Sequence, residues 1–217
     1  MSKRRKKPRP AKAGLGIGLR TETLRGLIQE VTQIRQYPAL TVRADGKYEG
    51  DILGFVRGLR LSARITYYIR EQLSGAGFRV SWGHLLDDKE RSCSPECDII
   101  IHEKGHVRKW NGFPKSIMTF KFIEARKAIA VISCKSTLTS IDKDYPKSLK
   151  KFGIKNIFLF AETCKKGSFA TLSKAAKKAG YRGLWCLYFT DEDGAMVSIE
   201  DKVHMAFIES IKKTIPA

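Results

Sequence analysis

Two charged side chains stand at the ends of apolar segments of this sequence. Lys135 follows the run "AIAVISC" (128–134), and Asp98 lies near the start of "CDIIIHE" (97–103). The run 128–134 begins apolar on both faces, as expected for a central β-strand buried under helices. Because side chains alternate along a strand, Ser133 and Lys135 share one face at its carboxyl end. In α/β sheets this end is a usual place for ligand sites, so we expect a functional site there.

A carboxylate beside a lysine at neighbouring strand ends fits metal-assisted hydrolysis of phosphodiester bonds. Mg²⁺ prefers oxygen ligands, which the carboxylate of Asp98 and a backbone carbonyl can supply. A metal-bound water has a lowered pKa, and a lysine such as Lys135 orients that water and offsets the charge that develops in the transition state. Each residue alone has an ordinary alternative, because aspartates often cap strands and a terminal lysine can simply reach solvent. The hypothesis of metal-assisted hydrolysis therefore rests on Asp98 and Lys135 together.

Together the two segments resemble the PD-(D/E)xK nuclease superfamily. "PECDIII" is followed by "AVISCKS", whose lysine, Lys135, lies 37 residues after Asp98. The sequence is most similar to an uncharacterised branch of that superfamily, on "GHLLDDKERSCSPECDIIIHEKG" (83–105) and "IEARKAIAVISCKSTL" (123–138). The resemblance spans roughly 49–163, and its motifs are short. It implies a restriction-endonuclease-like αβββαβ core and hydrolysis of DNA phosphodiester bonds with Mg²⁺ or Mn²⁺.

The resemblance also assigns roles to single positions. Asp98 matches the metal-binding acid of the family, Lys135 the motif lysine, and the backbone carbonyl of Cys134 the ligand in the middle of the motif. Glu124 matches the glutamate that precedes the strand in the similar branch. Ser133 stands where the family places an acidic ligand. A Ser-x-Lys form occurs in the superfamily with the missing carboxylate supplied from another element, so either a relocated acid completes the site or the metal has been lost.

Several acids are candidates for that replacement. They are Glu124, Glu162, Glu49 and Asp51. The motif pattern favours Glu124, and the family's habit of drawing a ligand from its first helix favours Glu49. In a fully extended chain Glu124 lies about 30 Å from Lys135, so it reaches the site only if the strand is short or bent. Glu162 would lie beside the motif serine if its strand runs parallel to 128–135.

Hydrophobic periodicity predicts the elements that position these residues. The predicted order is helices at 21–36 and about 49–74, strands at 78–86, 97–103, 116–124 and 127–136, a helix at about 139–152, a strand at 156–163, a helix at 169–179, a strand at 183–190 and a helix at about 199–213. Strands that alternate with helices predict an α/β fold, a mixed central sheet flanked by helices. We expect a disordered basic arm and linker over 1–20 and one nuclease-like α/β domain over 21–217.

The charge of the chain favours a polyanionic partner. Lys and Arg number 41 against 22 Asp and Glu, a net charge of +19, and neutralising phosphates releases counterions. Two basic segments are expected to contact phosphates, the N-terminal arm and the lysine-rich region at 165–179, although a solvated surface is the alternative for both. The expected nucleic-acid-binding residues are Lys3, Arg4, Arg5, Lys6, Lys7, Lys165, Lys166, Lys174, Lys177 and Lys178. The expected partner is nucleic acid, DNA before RNA, with a homodimer as an option.

Composition narrows the remaining classes of function. Five cysteines at irregular spacings argue against a disulfide framework and for a reducing compartment. No apolar run reaches the roughly 18 residues of a membrane span, and the N-terminus lacks a signal core. We therefore expect no membrane partner and a cytoplasmic, nucleoid-associated location, or a nuclear one in a eukaryote. Two other classes stay open: a catalytically inactive nuclease-like protein that binds nucleic acid, and an RNA-associated structural protein.

Overall fold

The structure is a computed structural model that describes most of the chain after residue 49. The described residues are 50–73, 77–87, 89, 92–104, 107–110, 120–193, 196–197 and 201–215. The predicted arm with its five basic contact residues, the predicted helix 21–36 and Glu49 lie outside them. No helix among the described residues is long and apolar enough to cross a membrane.

Helices and strands alternate along the described chain. In order they are α1 (Gly50–Gln72), β1 (Phe78–Leu86), β2 (Cys97–Glu103), β3 (Val107–Trp110), β4 (Phe120–Glu124), β5 (Ala128–Leu138), α2 (Asp144–Lys150), β6 (Ile157–Lys165), α3 (Phe169–Ala179), β7 (Leu184–Thr190), β8 (Met196–Val197) and α4 (Asp201–Lys212). Short 3₁₀ turns precede β5 and α3. When β3 and β4 are set aside, the order is α1, β1, β2, β5, α2, β6, which matches the predicted αβββαβ core.

Most predicted boundaries agree with the structure, and one helix is shorter than predicted. The pattern at 139–152 predicted a helix, but α2 begins only at Asp144. The reason is local, because the side chain of Asp142 accepts the backbone N–H groups of Asp144 and Tyr145 and so starts the helix there. Strand β3 was not predicted at all.

The strands form one mixed sheet in the order β3-β4-β1-β2-β5-β6-β7-β8. Strand β2 is antiparallel to both of its neighbours, β1 and β5, whereas β5, β6 and β7 run parallel. Helices α1 and α4 cover one face of the sheet, and α2 and α3 cover the other. The predicted mixed sheet flanked by helices is confirmed.

Strand β5 lies in the middle of this sandwich and is buried on both faces. Ala130 and Ile132 belong to the apolar cluster under α1 and α4, and Val131 belongs to the cluster under α2 and α3. All three are fully buried. Burial of a branched aliphatic side chain contributes about 1.5–3 kcal/mol, so this strand is firmly held up to the point where its charged end begins.

Strand β1 changes partners at a β-bulge. It pairs with β2 through Ser81 and, after a shift in register, through the pair of Gly83 with Cys97; residues His84 to Leu86 then pair in parallel with β4. Gly83 has a backbone φ of 148°, a conformation that residues other than glycine rarely adopt. A Cβ at this position would overlap the backbone carbonyl of Lys121. Glycine is therefore what allows β4 to approach β1.

We expect Gly83→Ala to lower the free energy of unfolding by about 2 kcal/mol or more, because it adds backbone strain to a steric overlap. Gly167→Ala is the matched control, since a Cβ there meets nothing within 4 Å. The control should change stability by less than about 0.5 kcal/mol. Denaturant unfolding of both variants measures the difference, and equal stabilities would show that the bulge does not need glycine.

Candidate functional site

Asp98 and the carboxyl end of β5 meet where the ladder between β2 and β5 ends. The last pair of that ladder is Ile99 with Ile132, so Asp98 stands across from Ser133. The Oδ2 atom of Asp98 accepts the backbone N–H of Cys134 at 2.8 Å. The hydroxyl of Ser133 and the ammonium group of Lys135 are close enough to this carboxylate to favour its charged form. The structure thus brings together four of the predicted site residues.

Cys134 contributes to this group through its backbone. Its thiol is buried on the opposite face, in the cluster under α1 and α4, and burial raises its pKa far above the usual value. Such a thiol is inert as a nucleophile. In a β-strand the N–H and C=O of one residue point toward the same side. The carbonyl of Cys134 is therefore directed toward β2, as its N–H is, on the side where Asp98 lies.

The carboxyl group of Asp98 is largely shielded from water. Burial is the strongest influence on it and raises its pKa above the usual value. The hydrogen bond from Cys134, the charge of Lys135 and the nearby hydroxyl of Ser133 oppose this rise, and the nearby carboxylate of Glu96 adds to it. A carboxylate that is removed from water needs positive charge nearby, and Asp98 has one ammonium group close to it. A bound cation would supply the remaining positive charge.

A divalent metal ion fits this donor set in part. Asp98 and the Cys134 carbonyl offer two oxygen ligands, and Mg²⁺ is usually bound by one or two carboxylates while it keeps several waters. Among the described residues, no group of three or more His, Cys, Asp or Glu side chains is placed to hold a metal ion. A cluster of three such side chains is therefore not part of the described site, and the candidate Glu49 lies outside the described residues.

Glu124 ends β4, and the strands β1 and β2 stand between β4 and β5 in the sheet. A 3₁₀ turn separates Glu124 from the start of β5. Its carboxylate accepts two hydrogen bonds from the guanidinium of Arg126, at 2.9 and 3.1 Å. The described contacts place Glu124 in an ion pair at the end of its own strand.

Glu162 lies on the strand next to β5, but its side chain faces away from Ser133. The two strands are parallel neighbours, as its candidacy required, and Ser133 pairs with Leu159. Glu162 is therefore three residues beyond that pair and, by alternation, on the opposite face. It is 2% exposed and accepts a hydrogen bond from the Tyr188 hydroxyl at 3.2 Å. This position does not make Glu162 a neighbour of the motif serine.

Two tyrosines, which the sequence patterns did not reveal, border the site. The hydroxyl of Tyr145 in α2 donates to the carbonyl of Glu96, and that of Tyr181 after α3 donates to the carbonyl of Asp142, both at 3.2 Å. Burial is the largest cause that raises the pKa of each tyrosine, and the negative charge of Asp98 adds to both shifts. Their only common sequence signal is an aromatic ring close to a helix end, which is too general to identify a site.

The predicted basic region around α3 is exposed. The helix buries Leu172 and Ala176 against the sheet. Five exposed lysines lie at the end of β6, in the turn before α3 and on α3 itself, namely Lys165, Lys166, Lys174, Lys177 and Lys178. Their ammonium groups give the surface around α3 a positive charge.

Comparisons with known proteins identify the fold. No family model matches the sequence, and no curated protein matches it. The chain is similar to P. aeruginosa ATCC27853 NucC in its cAAA-bound form, with a TM-score of 0.56, 11% identity and coverage of 94% of this chain and 93% of that one. It is also similar to E. coli MS115-1 NucC in its cAAA-bound form, with a TM-score of 0.53, 10% identity and coverage of 95% and 93%. At these identities the likeness shows the fold alone, and it confirms the predicted restriction-endonuclease-like α/β fold.

Proposed function

We propose that this protein is a metal-dependent nuclease of the PD-(D/E)xK type that hydrolyses phosphodiester bonds in DNA. The observation that carries the proposal is the convergence of Asp98 with Ser133, Cys134 and Lys135 at the carboxyl end of β5. The fold shared with the NucC structures supports it. The net charge of +19 supports nucleic acid as the partner.

Each residue of the group has a distinct task in this proposal. The Asp98 carboxylate and the Cys134 carbonyl would hold Mg²⁺ or Mn²⁺. The ion would supply a water of lowered pKa and offset phosphate charge. Ser133, whose hydroxyl favours the charged form of Asp98, would help to orient this carboxylate. Lys135 is exposed, so its ammonium group can approach the phosphate and stabilise the charge that develops there.

The basic surface around α3 is proposed to contact DNA phosphates outside the reacting bond. Its five lysines are exposed. Phosphate contacts of this kind position a nucleic acid without reading its sequence. The N-terminal arm would add further contacts of the same type.

A second candidate function is nucleic-acid binding without cleavage. The observation that favours it is Ser133, which leaves Asp98 as the sole carboxylate among the four converging residues. A protein of this class would bind nucleic acid in a salt-dependent manner and cleave nothing. Competition between DNA and RNA at fixed salt would separate it from an RNA-associated structural protein.

Cleavage assays test the leading proposal. The purified protein is incubated with Mg²⁺ or Mn²⁺ and plasmid, linear duplex, single-stranded DNA or RNA. Each reaction is run with and without cAAA, since both similar structures are cAAA-bound forms. Asp98→Asn and Lys135→Met should each lower the rate at least about 100-fold, because each removes charge stabilisation from the reaction. Lys155→Met, at an exposed lysine near the start of β6, should leave the rate unchanged. Unaltered cleavage by the two site variants would overturn the proposal, and no cleavage of any substrate would favour the second candidate.

The stability of Asp98→Asn separates loss of chemistry from loss of fold. Burial raises the pKa of Asp98 in the folded state, so the folded protein binds this proton more tightly than the unfolded chain. The stability contributed by the protonated group is therefore lost as pH rises through the raised pKa. In metal-free buffer Asp98→Asn should have a higher Tm than the wild type at neutral pH. This gain should disappear below the usual aspartate pKa of about 3.9.

Glu209→Gln is the control for that measurement, because its carboxylate is exposed. Its Tm should follow that of the wild type at every pH. A lower Tm of Asp98→Asn at neutral pH would show instead that the charged carboxylate holds β2 and β5 together.

A further inference from the structure

Tyr145 is the side chain of α2 that reaches the segment leading into β2. Its hydroxyl donates to the backbone carbonyl of Glu96, the residue just before β2, at 3.2 Å. Its ring packs against the apolar cluster under α2 and α3, which also contains Val131 of β5. Because side chains alternate along β5, Ser133 and Lys135 lie on the face of Val131. The tyrosine is therefore on the same face of the sheet as the proposed site.

Tyr145 is itself held in place by the start of α2. Its backbone N–H donates to the side chain of Asp142 at 3.1 Å, and the hydroxyl of the buried Tyr181 donates to the Asp142 carbonyl at 3.2 Å. Burial is the largest cause that raises the pKa of Tyr145 well above its usual value. The hydroxyl therefore stays protonated at neutral pH and gives the Glu96 carbonyl a donor in a fixed position.

The segment that receives this hydrogen bond is also anchored at both of its ends. At its start Ser94 exchanges two hydrogen bonds with Leu85 of β1, both at 2.9 Å. At its end Asp98 accepts the backbone N–H of Cys134 at 2.8 Å. Between these anchors, the tyrosine hydroxyl ties the carbonyl of Glu96 to α2. A movement of this middle part would turn the Asp98 carboxylate relative to β5.

We propose that Tyr145 is a positioning residue, which acts through the Glu96 carbonyl to hold the Asp98 carboxylate in the orientation that binds a divalent cation. The inference rests on the proposed function for the presence of that cation. Groups that orient a metal ligand from outside the coordination shell matter strongly, and losing one costs about 10- to 100-fold in metal affinity or activity. Orientation matters more here because Ser133 leaves Asp98 as the sole carboxylate among the four converging residues.

Mn²⁺ binding to the full chain without nucleic acid tests the inference independently of cleavage. Electron paramagnetic resonance of free Mn²⁺ measures the affinity of each variant. Tyr145→Phe removes only the hydroxyl and should weaken Mn²⁺ binding about tenfold or more. Tyr67→Phe is the matched control, since Tyr67 is a tyrosine on α1 that is 61% exposed, and its affinity should equal that of the wild type. Asp98→Asn should lose the site, which identifies the bound ion as the one at Asp98.

The cleavage assay supplies a second measurement that a purely structural role would not change. Raising Mg²⁺ should restore the rate of Tyr145→Phe toward that of the wild type, with an unchanged KM for DNA, because the variant loses metal affinity and keeps the reacting groups. A lowered Tm with unchanged Mn²⁺ affinity would contradict the inference and make the tyrosine a packing residue. Slow cleavage at saturating Mg²⁺ with unchanged Mn²⁺ affinity would contradict it too, and would make the hydroxyl a substrate contact.

The outcomes separate this inference from the proposed function. If the wild type binds Mn²⁺ at Asp98 and cleaves DNA while Tyr145→Phe does both equally well, only the role of the tyrosine is lost. If Tyr145→Phe weakens Mn²⁺ binding but the wild type cleaves no substrate, the positioning role stands and the nuclease activity is lost. A wild type that binds no Mn²⁺ at Asp98 rejects both.

Discussion

The hydrogen bond from the Cys134 N–H to the Asp98 carboxylate joins the fold to the site. Upstream of it, the ladder between β2 and β5 satisfies the backbone, and its last register pair is Ile99 with Ile132. Beyond that pair the N–H of Cys134 still needs an acceptor, because an unpaired backbone donor in a partly buried place is costly. Asp98 supplies the acceptor at 2.8 Å. The C=O of a strand residue points to the same side as its N–H, so the Cys134 carbonyl is directed toward Asp98 as well.

The placement of Asp98 has a stability cost that the surrounding core offsets. Burial opposes ionisation of this carboxylate, and only one hydrogen-bonding backbone group, one hydroxyl and one ammonium group favour it. The neighbouring register pair, Ile99 and Ile132, is fully buried. A charge is therefore held at the edge of a rigid apolar layer. Functional sites are where sequences depart from the best-packed solution.

Local patterns predicted the elements of this fold well, because their signals lie within a single segment. Helix α3 begins and ends at the predicted residues, 169 and 179, since its apolar stripe and the following glycine are both local. The meeting of Asp98 with Lys135 followed from two strand patterns and a motif spacing. Strand β3 and the shift at Gly83 depend on pairing between distant segments. The alternation of apolar and polar residues in β1 is visible in "FRVSWGHLL", but the pairing of His84 with Phe122 cannot be read from the sequence.

Side-chain direction was harder to predict than strand order. The parallel pairing of β5 with β6 agrees with the arrangement that made Glu162 a candidate, yet Ser133 pairs with Leu159 and Glu162 faces the other side. A shift of one residue in register decides this, since side chains alternate with a period of two. The tyrosines near Asp98 come from α2 and from the segment after α3, so only the packed structure brings them together.

Ser133 has an electrostatic consequence for the proposed chemistry. A second carboxylate at its position would lie across from Asp98, whose ionisation is already opposed by burial and by Glu96. Two carboxylates in such a place raise one another's pKa. The hydroxyl of a serine instead favours the charged form of Asp98. One acidic metal ligand would thereby be lost, and in the proposed enzyme the nucleic acid's own phosphate oxygens would make up a larger part of the coordination, as is common for Mg²⁺. In the proposed enzyme the serine therefore favours metal binding together with the substrate over metal binding by the free protein.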